Sequence, residues 1–150
     1  MKRYRVGLAV MFALALVVSS LFIQTQKVDA ANLTYDSTNP YTTGCAYKNA
    51  FVYETQYFSG GYLQLWGSAY CHTAWARVYL YNAAPWNGYA DAFIQRSDGK
   101  ELHCDDIGGN DTVDYGQHSC HTPQLWDRNP YKSWAGTDGG IIPYYKTDWH

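Results

Sequence analysis

The stretch that decides the fold class reads Ala74-Trp75-Ala76-Arg77-Val78-Tyr79-Leu80-Tyr81. Small or aliphatic residues alternate in it with aromatic or charged ones. Since successive side chains of a β-strand point to opposite faces of the sheet, this alternation predicts a half-buried strand. The small and aliphatic residues are expected to face the core. The opposite face of the strand is then formed by Trp75, Arg77, Tyr79 and Tyr81.

The segments on both sides of this stretch also predict strands. Residues 51–57 alternate, Ser59-Gly60-Gly61 is a turn signal, and residues 62–70 resume with large apolar side chains, which predicts a hairpin. Residues 89–96 and 101–104 predict a second hairpin around Asp98-Gly99, because this pair tolerates the positive φ angles of a type I′ turn. Residues 105–119 are loop-like and the last thirty residues have no sustained period. We therefore predict an all-β protein, a small single-domain antiparallel sandwich or barrel.

The first 30 residues have the organisation of a secretory signal. A cationic start (Lys2, Arg3 and Arg5) precedes an apolar run over residues 6–23, and Val28-Asp29-Ala30 supplies small or modest residues for cleavage. The alternative is a retained membrane anchor, because the run approaches the roughly 18 residues of a membrane span. We favour cleavage after Ala30, which gives a signal peptide over 1–30 and one secreted, extracellular β domain over 31–150. No later segment is apolar enough to span a membrane.

Cleavage would change the charge of the protein. Residues 31–150 contain seven basic and twelve acidic side chains, with all six tryptophans and 14 of the 15 tyrosines. An acidic chain without a basic stripe argues against a nucleic-acid partner, because phosphate contacts need clustered Lys and Arg. The sparse charge also argues against anionic membrane surfaces.

Four cysteines, Cys45, Cys71, Cys104 and Cys120, lie after the signal. An even number in an exported small domain predicts two disulfides, for which three pairings exist. We favour sequential pairing because it joins strands that are neighbours in the chain. The alternative is a zinc site, since three of these cysteines have a histidine beside them and His118 lies close to His121. There is no Cys-x-x-Cys pair, however, and zinc sites usually use closely spaced ligand pairs.

Five oxygen-bearing residues cluster in the predicted loop: Asp105, Asp106, Asn110, Asp111 and Asp114. Such ligands on a glycine-bearing loop suit Ca²⁺. Their spacing does not match an EF-hand, because the glycines are misplaced and no Glu closes the set. We prefer a solvated acidic loop, and we expect no metal or other cofactor.

Catalytic motifs are absent from the sequence. It contains no Gly-x-Ser-x-Gly elbow, no His-Glu-x-x-His helix and no phosphate-binding glycine loop. Glu54 or Glu101 with an aspartate could supply the two carboxylates of a glycosidase, but a chain with twelve acids always offers such pairs. No catalytic residue is therefore predicted. Outward-facing aromatic rings on a sheet can stack on sugars or anchor a protein, and Trp86 and Trp126 are the candidates, since both lie in turn-like segments.

Three stretches resemble a known family. They are residues 39–46 (Asn-Pro-Tyr-Thr-Thr-Gly-Cys-Ala), residues 63–78, which include Cys-His-Thr-Ala-Trp-Ala-Arg from Cys71 to Arg77, and residues 122–126 (Thr-Pro-Gln-Leu-Trp). Together the chain resembles the YjfA-like secreted proteins of Gram-positive bacteria over most of residues 36–136. The resemblance implies export and a compact domain. It brings no established activity.

Three functions remain open on the sequence. Abundant aromatic side chains and low charge favour a non-enzymatic extracellular binding module for cell-wall glycan or a protein partner. A small secreted hydrolase or antibacterial effector that uses His with Asp or Glu is the second hypothesis. A secreted inhibitor or immunity-type protein is the third.

Overall fold

Eight strands form two antiparallel sheets in the computed structural model, which describes residues 32–138 and 142–150. The strands are β1 (Ala50–Phe58), β2 (Gly61–Ser68), β3 (Thr73–Leu80), β4 (Asp91–Arg96), β5 (Glu101–His103), β6 (Ser119–His121), β7 (Leu125–Trp126) and β8 (Ser133–Asp138). Two 3₁₀ turns precede them, at Leu33–Tyr35 and Cys45–Tyr47. The all-β prediction is confirmed. The predicted signal peptide lies outside the described residues, and within them no helix is long and apolar enough to cross a membrane.

The first sheet, sheet A, has the strand order β1-β2-β3-β6, and β7 pairs with the start of β3. The second sheet, sheet B, has the order β5-β4-β8. Every pairing within the two sheets is antiparallel. A bulge between Val52 and Glu54 shifts the register of β1 against β2.

The core lies between the two sheets. Leu63 and Leu65 of β2 are fully buried, as are Ala74, Ala76 and Val78 of β3. They pack against sheet B, whose contributions to the same cluster include Ala92, Ile94, Leu102 and Ala135. The alternation of residues 74–81 therefore places its small and aliphatic side chains in the core, as predicted, and the architecture is a sandwich.

The two predicted hairpins form, but one turn differs from its prediction. Phe58 pairs with Gly61 across a two-residue turn between β1 and β2. In the second hairpin Gly99 has a positive φ of 91° and Asp98 does not. The Gly99 amide donates to the Arg96 carbonyl, and the Arg96 amide donates to the Lys100 carbonyl. The turn is thus a three-residue loop with a left-handed glycine and not type I′. Asp98 keeps a negative φ while its carboxylate accepts the Arg96 guanidinium.

Both disulfides have the favoured sequential pairing. Cys45–Cys71 joins the segment before β1 to the connection between β2 and β3, with a sequence separation of 26. Cys104–Cys120 joins the residue after β5 in sheet B to β6 in sheet A, with a separation of 16. The second bridge therefore ties the two sheets together across the core.

The N-terminal segment (32–49) covers one end of the outer face of sheet A. Buried Gln124 connects the segment to β3, since its Oε1 accepts from Thr73 Oγ1 at 2.6 Å. Its Nε2 donates to Thr38 Oγ1 at 3.0 Å and to Thr43 Oγ1 at 2.9 Å. Trp75 belongs to this outer face but is only 1% exposed. The three stretches that resemble the YjfA-like family thus meet in space.

The C-terminal segment (142–150) extends sheet B beyond β8. The Thr137 amide donates to the Tyr145 carbonyl, the Thr147 amide donates to the Ala135 carbonyl, and Ser133 and His150 exchange two backbone hydrogen bonds. The segment also contacts β1, where Glu54 Oε2 accepts from the Asp148 amide at 2.9 Å. These residues have no sequence period because their position depends on pairing with β8.

Candidate functional site

The outer face of sheet A carries a row of aromatic rings, one on each successive strand. Tyr57 of β1 pairs with Tyr62 of β2, and Tyr62 pairs with Tyr79 of β3. His118 continues the row just before β6, and Tyr81 follows β3 at the end of the sheet. We call these five residues, Tyr57, Tyr62, Tyr79, Tyr81 and His118, the tyrosine face. Its position follows from the alternation of the strands, because the opposite side chains of β2 and β3 are committed to the core.

The rings of the tyrosine face are close enough to form one continuous surface. Tyr62 and Tyr79 stack with centroids 5.1 Å apart at 18°, and Tyr79 and His118 stack at 6.0 Å. Tyr57 meets Tyr62 edge-on at 6.0 Å, and the Tyr81 centroid lies 6.2 Å from that of Tyr62. Tyr57 is 70% exposed and Tyr81 54%. These rings therefore present large aromatic area to solvent without a covering element.

A polar row lies beside the aromatic one. The register aligns Thr55, Gln64, Arg77 and His121 across β1, β2, β3 and β6. Gln64 donates to Thr55 Oγ1 at 3.2 Å, and the Arg77 guanidinium lies 5.6 Å from the centroid of Tyr79. Burial and the nearby Arg77 cation hold the pKa of His121 below its ordinary value. Hydrogen-bonding groups and one cation thus lie next to the rings.

A groove of about 240 Å³ adjoins the end of the tyrosine face. It is lined by Phe58, Ser59, Gly60, Leu80, Asn82, Ala83, Pro85, Tyr89 and Ile142. Tyr81 stands between two of these residues in the chain, and its amide donates to the Gly60 carbonyl at 2.9 Å. A ligand on the tyrosine face therefore has a recess into which it can continue.

The two predicted ligand-binding tryptophans have different environments. Trp86 is 48% exposed and meets Tyr89, a groove residue, edge-on at 5.1 Å. Trp126 is only 5% exposed because β7 pairs with β3 beneath the N-terminal segment. A ring with so little free surface has no face to offer a ligand, so Trp126 is a packing residue.

The acidic loop does not gather its carboxylates. Asp106 accepts from the His103 amide, Asp111 from the Thr112 amide, and Asp114 from the Gly88 amide. Each carboxylate thereby stabilises a different turn. Within the described parts of the chain, Asp105 alone of the four predicted metal candidates joins a possible ligand set, in which its carboxylate lies within 4.8 Å of ligand atoms of Asp91 and His103.

His103 is held between two carboxylates. Its Nδ1 lies 3.0 Å from Asp91 Oδ2, and its Nε2 lies 3.2 Å from Glu101 Oε1. Burial lowers the His103 pKa, but the two carboxylates outweigh it and the pKa is raised. Burial likewise raises the pKa of Asp91 against the influence of His103. With a carboxylate on each ring nitrogen, His103 is arranged to retain its proton and not to act as a general base.

The sequence predictions did not name the tyrosines as a site. Alternation in both β2 and β3, which places Tyr62 and Tyr79 on one side, is the signal that identifies them. Their register depends on the short turn at Cys71 and His72, where His72 has a positive φ of 54°.

Comparison with known proteins finds a matching family and a similar protein. Residues 33–136 match the family described as "Protein of unknown function (DUF2690)". The chain is also similar to "Uncharacterized protein YjfA" of Bacillus subtilis (strain 168), with 32% identity over 132 residues, which cover 84% of this chain and 82% of that protein. No solved structure matches the chain. The protein therefore belongs to the DUF2690 family, and the predicted YjfA-like resemblance is confirmed.

Proposed function

We propose that the protein is a non-enzymatic extracellular binding module that holds a cell-wall polysaccharide on the tyrosine face. The observation that carries the proposal is the row of rings across sheet A, in which Tyr57 and His118 are exposed and Tyr62 and Tyr79 between them are half-buried. Two disulfides suit the oxidising environment in which such a module would work.

Stacking on sugar rings is what this row can do best. The apolar C–H face of a pyranose packs against an aromatic ring, and the tyrosine hydroxyls remain able to hydrogen-bond sugar hydroxyls. The row crosses successive strands of sheet A, so an extended glycan can contact several ring edges and hydroxyls and can stack on the exposed Tyr57 and Tyr81. A continuous row across several strands therefore fits a linear polymer better than a small molecule.

Exposure distinguishes this row from ordinary packing aromatics. Trp75, which shares the outer face of sheet A and stacks with Trp66, is 1% exposed, whereas Tyr57 and Tyr81 remain more than half exposed. Exposed contiguous apolar surface of this kind marks interaction sites in soluble proteins. The acidic charge of residues 31–150 supports a sugar polymer over a nucleic acid.

Binding to purified Bacillus subtilis cell wall tests the proposal. The double variant Tyr62→Thr, Tyr79→Thr removes the two central rings and keeps the strand preference, because threonine is β-branched. We expect it to bind the wall roughly 10- to 100-fold more weakly, as two aromatic contacts contribute about 1–3 kcal/mol. Tyr115→Thr is the matched control, since Tyr115 is 73% exposed and lies outside the tyrosine face.

The outcomes separate the proposal from its alternatives. Equal retention of the double variant and the control contradicts a role for the tyrosine face. If the unmodified chain is not retained on the wall at all, the glycan proposal fails and a protein partner becomes the better hypothesis. Trp86→Ala is expected to weaken binding less than the double variant, because Trp86 stands beside the groove at the end of the row. Wall turnover by the chain would favour the hydrolase alternative.

A further inference from the structure

We infer that the polysaccharide carries carboxylate groups and that Arg77 binds them. This inference rests on the proposed function, since it names the chemistry of the ligand held on the tyrosine face. Arg77 lies in the centre of sheet A, between Gln64 of β2 and His121 of β6. Its guanidinium lies 5.6 Å from the centroid of the Tyr79 ring, so a group bound by Arg77 would be adjacent to a glycan that crosses the tyrosine face.

Arg77 is the cation that the fold leaves available at this face. Arg96 and Lys100 pair with Asp36, and Lys48 and Lys146 lie away from the tyrosine face, over Tyr70 and Trp134. Among residues 32–138 and 142–150, Arg77 forms no ion pair with a carboxylate of the chain. A guanidinium that is half-buried among a glutamine, a histidine and a tyrosine has lost part of its hydration without gaining an anion. A ligand anion would supply the missing partner.

The neighbours of Arg77 are suited to an anion because they add no negative charge. Thr55 and Gln64, in the same row, contribute neutral hydrogen-bonding groups. His121 has a lowered pKa and is neutral at neutral pH, so Arg77 supplies the charge by itself. The planar guanidinium fork matches a carboxylate with two parallel hydrogen bonds.

A carboxylate on the sugar chain fits this face better than a phosphate polymer. A polymer with a phosphate in every repeat calls for several cations along its path, as phosphate-binding surfaces show. The tyrosine face offers several rings and one arginine. That ratio suits a polymer composed mainly of sugar rings with a carboxylate aligned to Arg77, such as a chain that contains uronic acids.

Two pairs of matched ligands test the inference. The first is Bacillus subtilis wall stripped of phosphate polymers with hydrofluoric acid, before and after its carboxylates are reduced to alcohols. The second is a soluble glycan of mainly neutral sugars with occasional uronic acids and its carboxyl-reduced form, compared by affinity electrophoresis. We expect reduction of the carboxylates to weaken binding of the unmodified chain about tenfold on both, which is the effect of losing one charge-assisted hydrogen-bonded contact.

Variants of Arg77 test whether this residue produces the preference for carboxylate-bearing ligands. Arg77→Gln is expected to bind native and reduced ligands equally, at the weaker level, whereas Arg77→Lys keeps part of the preference because it keeps the charge. Lys132→Gln, at an exposed position outside sheet A, is the control and should preserve the full preference.

Each contrary outcome has a distinct meaning. If carboxyl reduction leaves binding unchanged while the Tyr62→Thr, Tyr79→Thr variant loses it, the polysaccharide is neutral and the inference fails while the proposed function stands. Loss of binding on hydrofluoric acid treatment makes a phosphate polymer the ligand and overturns the inference. A preference for unreduced over reduced wall, without a matching preference for the unreduced soluble glycan, places the carboxylate on wall peptide and also overturns the inference. If the unmodified chain binds none of these ligands, both the proposed function and this inference are rejected.

Discussion

Arg96 and Asp36 form an ion pair that is almost entirely removed from water. The Arg96 side chain is 3% exposed and that of Asp36 is 7%, with 2.7 Å between Nη1 and Oδ2. Asp36 Oδ1 also accepts from the Trp126 amide at 2.7 Å. Asp36→Ala leaves a buried guanidinium with one partner fewer and a backbone amide without an acceptor. We expect a loss of about 3–5 kcal/mol in the free energy of unfolding, measured by urea denaturation.

Asp98 provides the comparison for Asp36. Its side chain bonds the same guanidinium at 2.8 Å but is 38% exposed, so water can replace it. Asp98→Ala should therefore cost much less than Asp36→Ala, closer to the range of surface ion pairs, about 0–1 kcal/mol. Equal costs for the two substitutions would contradict the importance that we assign to burial.

Two histidines predict a maximum of stability near the ordinary imidazole pKa of about 6.5. The pKa of His103 is raised, so its stabilisation is complete below pH 6.5 and is lost as the pH rises through the folded-state value. The pKa of His121 is lowered, so stability falls as the pH drops from 6.5 through its folded-state value. Urea midpoints measured across this range should rise and then fall.

The two limbs of this pH profile can be assigned separately. His103→Gln should flatten the decline above pH 6.5 and leave the rise below it, whereas His121→Gln should do the reverse. A profile of the unmodified chain without a maximum, or one that neither substitution alters, would show that these two imidazoles do not control stability in this range.

Residue types alone did not distinguish an exposed tryptophan from a buried one. Trp86 and Trp126 stood out because tryptophans in turn-like segments suggest exposure; Trp86 is 48% exposed, whereas Trp126 is buried where β7 pairs with β3. Tyr79 and Tyr81, two members of the tyrosine face, were already placed on the outer face by alternation in β3. Burial at the end of a sheet depends on which distant segment covers it, and the sequence pattern of one strand does not contain that information.

At the scale of elements, the N-terminal segment depends on Cys45–Cys71 for its attachment to sheet A. Cys45→Ser with Cys71→Ser removes the bridge, and we expect a loss of about 2–4 kcal/mol in the free energy of unfolding. Because the segment contacts the buried Trp126 through Asp36, its loosening should shift tryptophan fluorescence to longer wavelength and speed amide exchange in residues 38–47. The β4–β5 hairpin, which lies in sheet B, should keep its protection.

The other disulfide serves as the control for this experiment. Cys104→Ser with Cys120→Ser should also lower stability, but its effect on exchange should centre on residues 101–121 instead of the N-terminal segment. Equal exchange across the whole chain in both variants would mean that neither bridge holds one element in particular.

Strand predictions succeeded where local pattern was sufficient. β1 to β5 have either alternation or a hairpin turn within their own residues, and all five were predicted. β6, β7 and β8 have neither signal and owe their conformation to partners far away in the chain, as in the pairing of Arg77 with His121. The turn at Asp98-Gly99 was predicted in place but not in type, because Arg96 pairs with Lys100 and three residues, not two, lie between them.

For the molecule as a whole, the C-terminal segment closes the side of the sandwich between β8 and β1. Deleting residues 144–150 would leave the β8 edge unpaired and remove the Tyr145 ring, whose centroid lies 5.2 Å from that of Phe58. Glu54 would also lose its two hydrogen-bond partners in the segment, the Asp148 amide and the His150 ring. Unpaired strand edges promote association between chains. We expect lower stability and concentration-dependent oligomers, measured by size-exclusion chromatography with light scattering.

Glu54→Gln is the matched control for this deletion. It removes the charge that His150 contacts and leaves the backbone pairing with β8 in place. It should therefore remain monomeric. Oligomers of Glu54→Gln, or a monomeric deletion variant, would show that the segment does not protect the β8 edge.

The bridge between Cys104 and Cys120 has a mechanical consequence. A polymer held on the tyrosine face would pull on sheet A, and without this bridge the load would reach sheet B through the connecting loops and the apolar interface. With it, tension also passes between the sheets through the disulfide, and the chain between Cys104 and Cys120, a sequence separation of 16, cannot be extended. Reduction would release roughly 50 Å of extra chain under force. An anchored protein with this bridge would therefore extend less under tension in oxidising surroundings than in reducing ones.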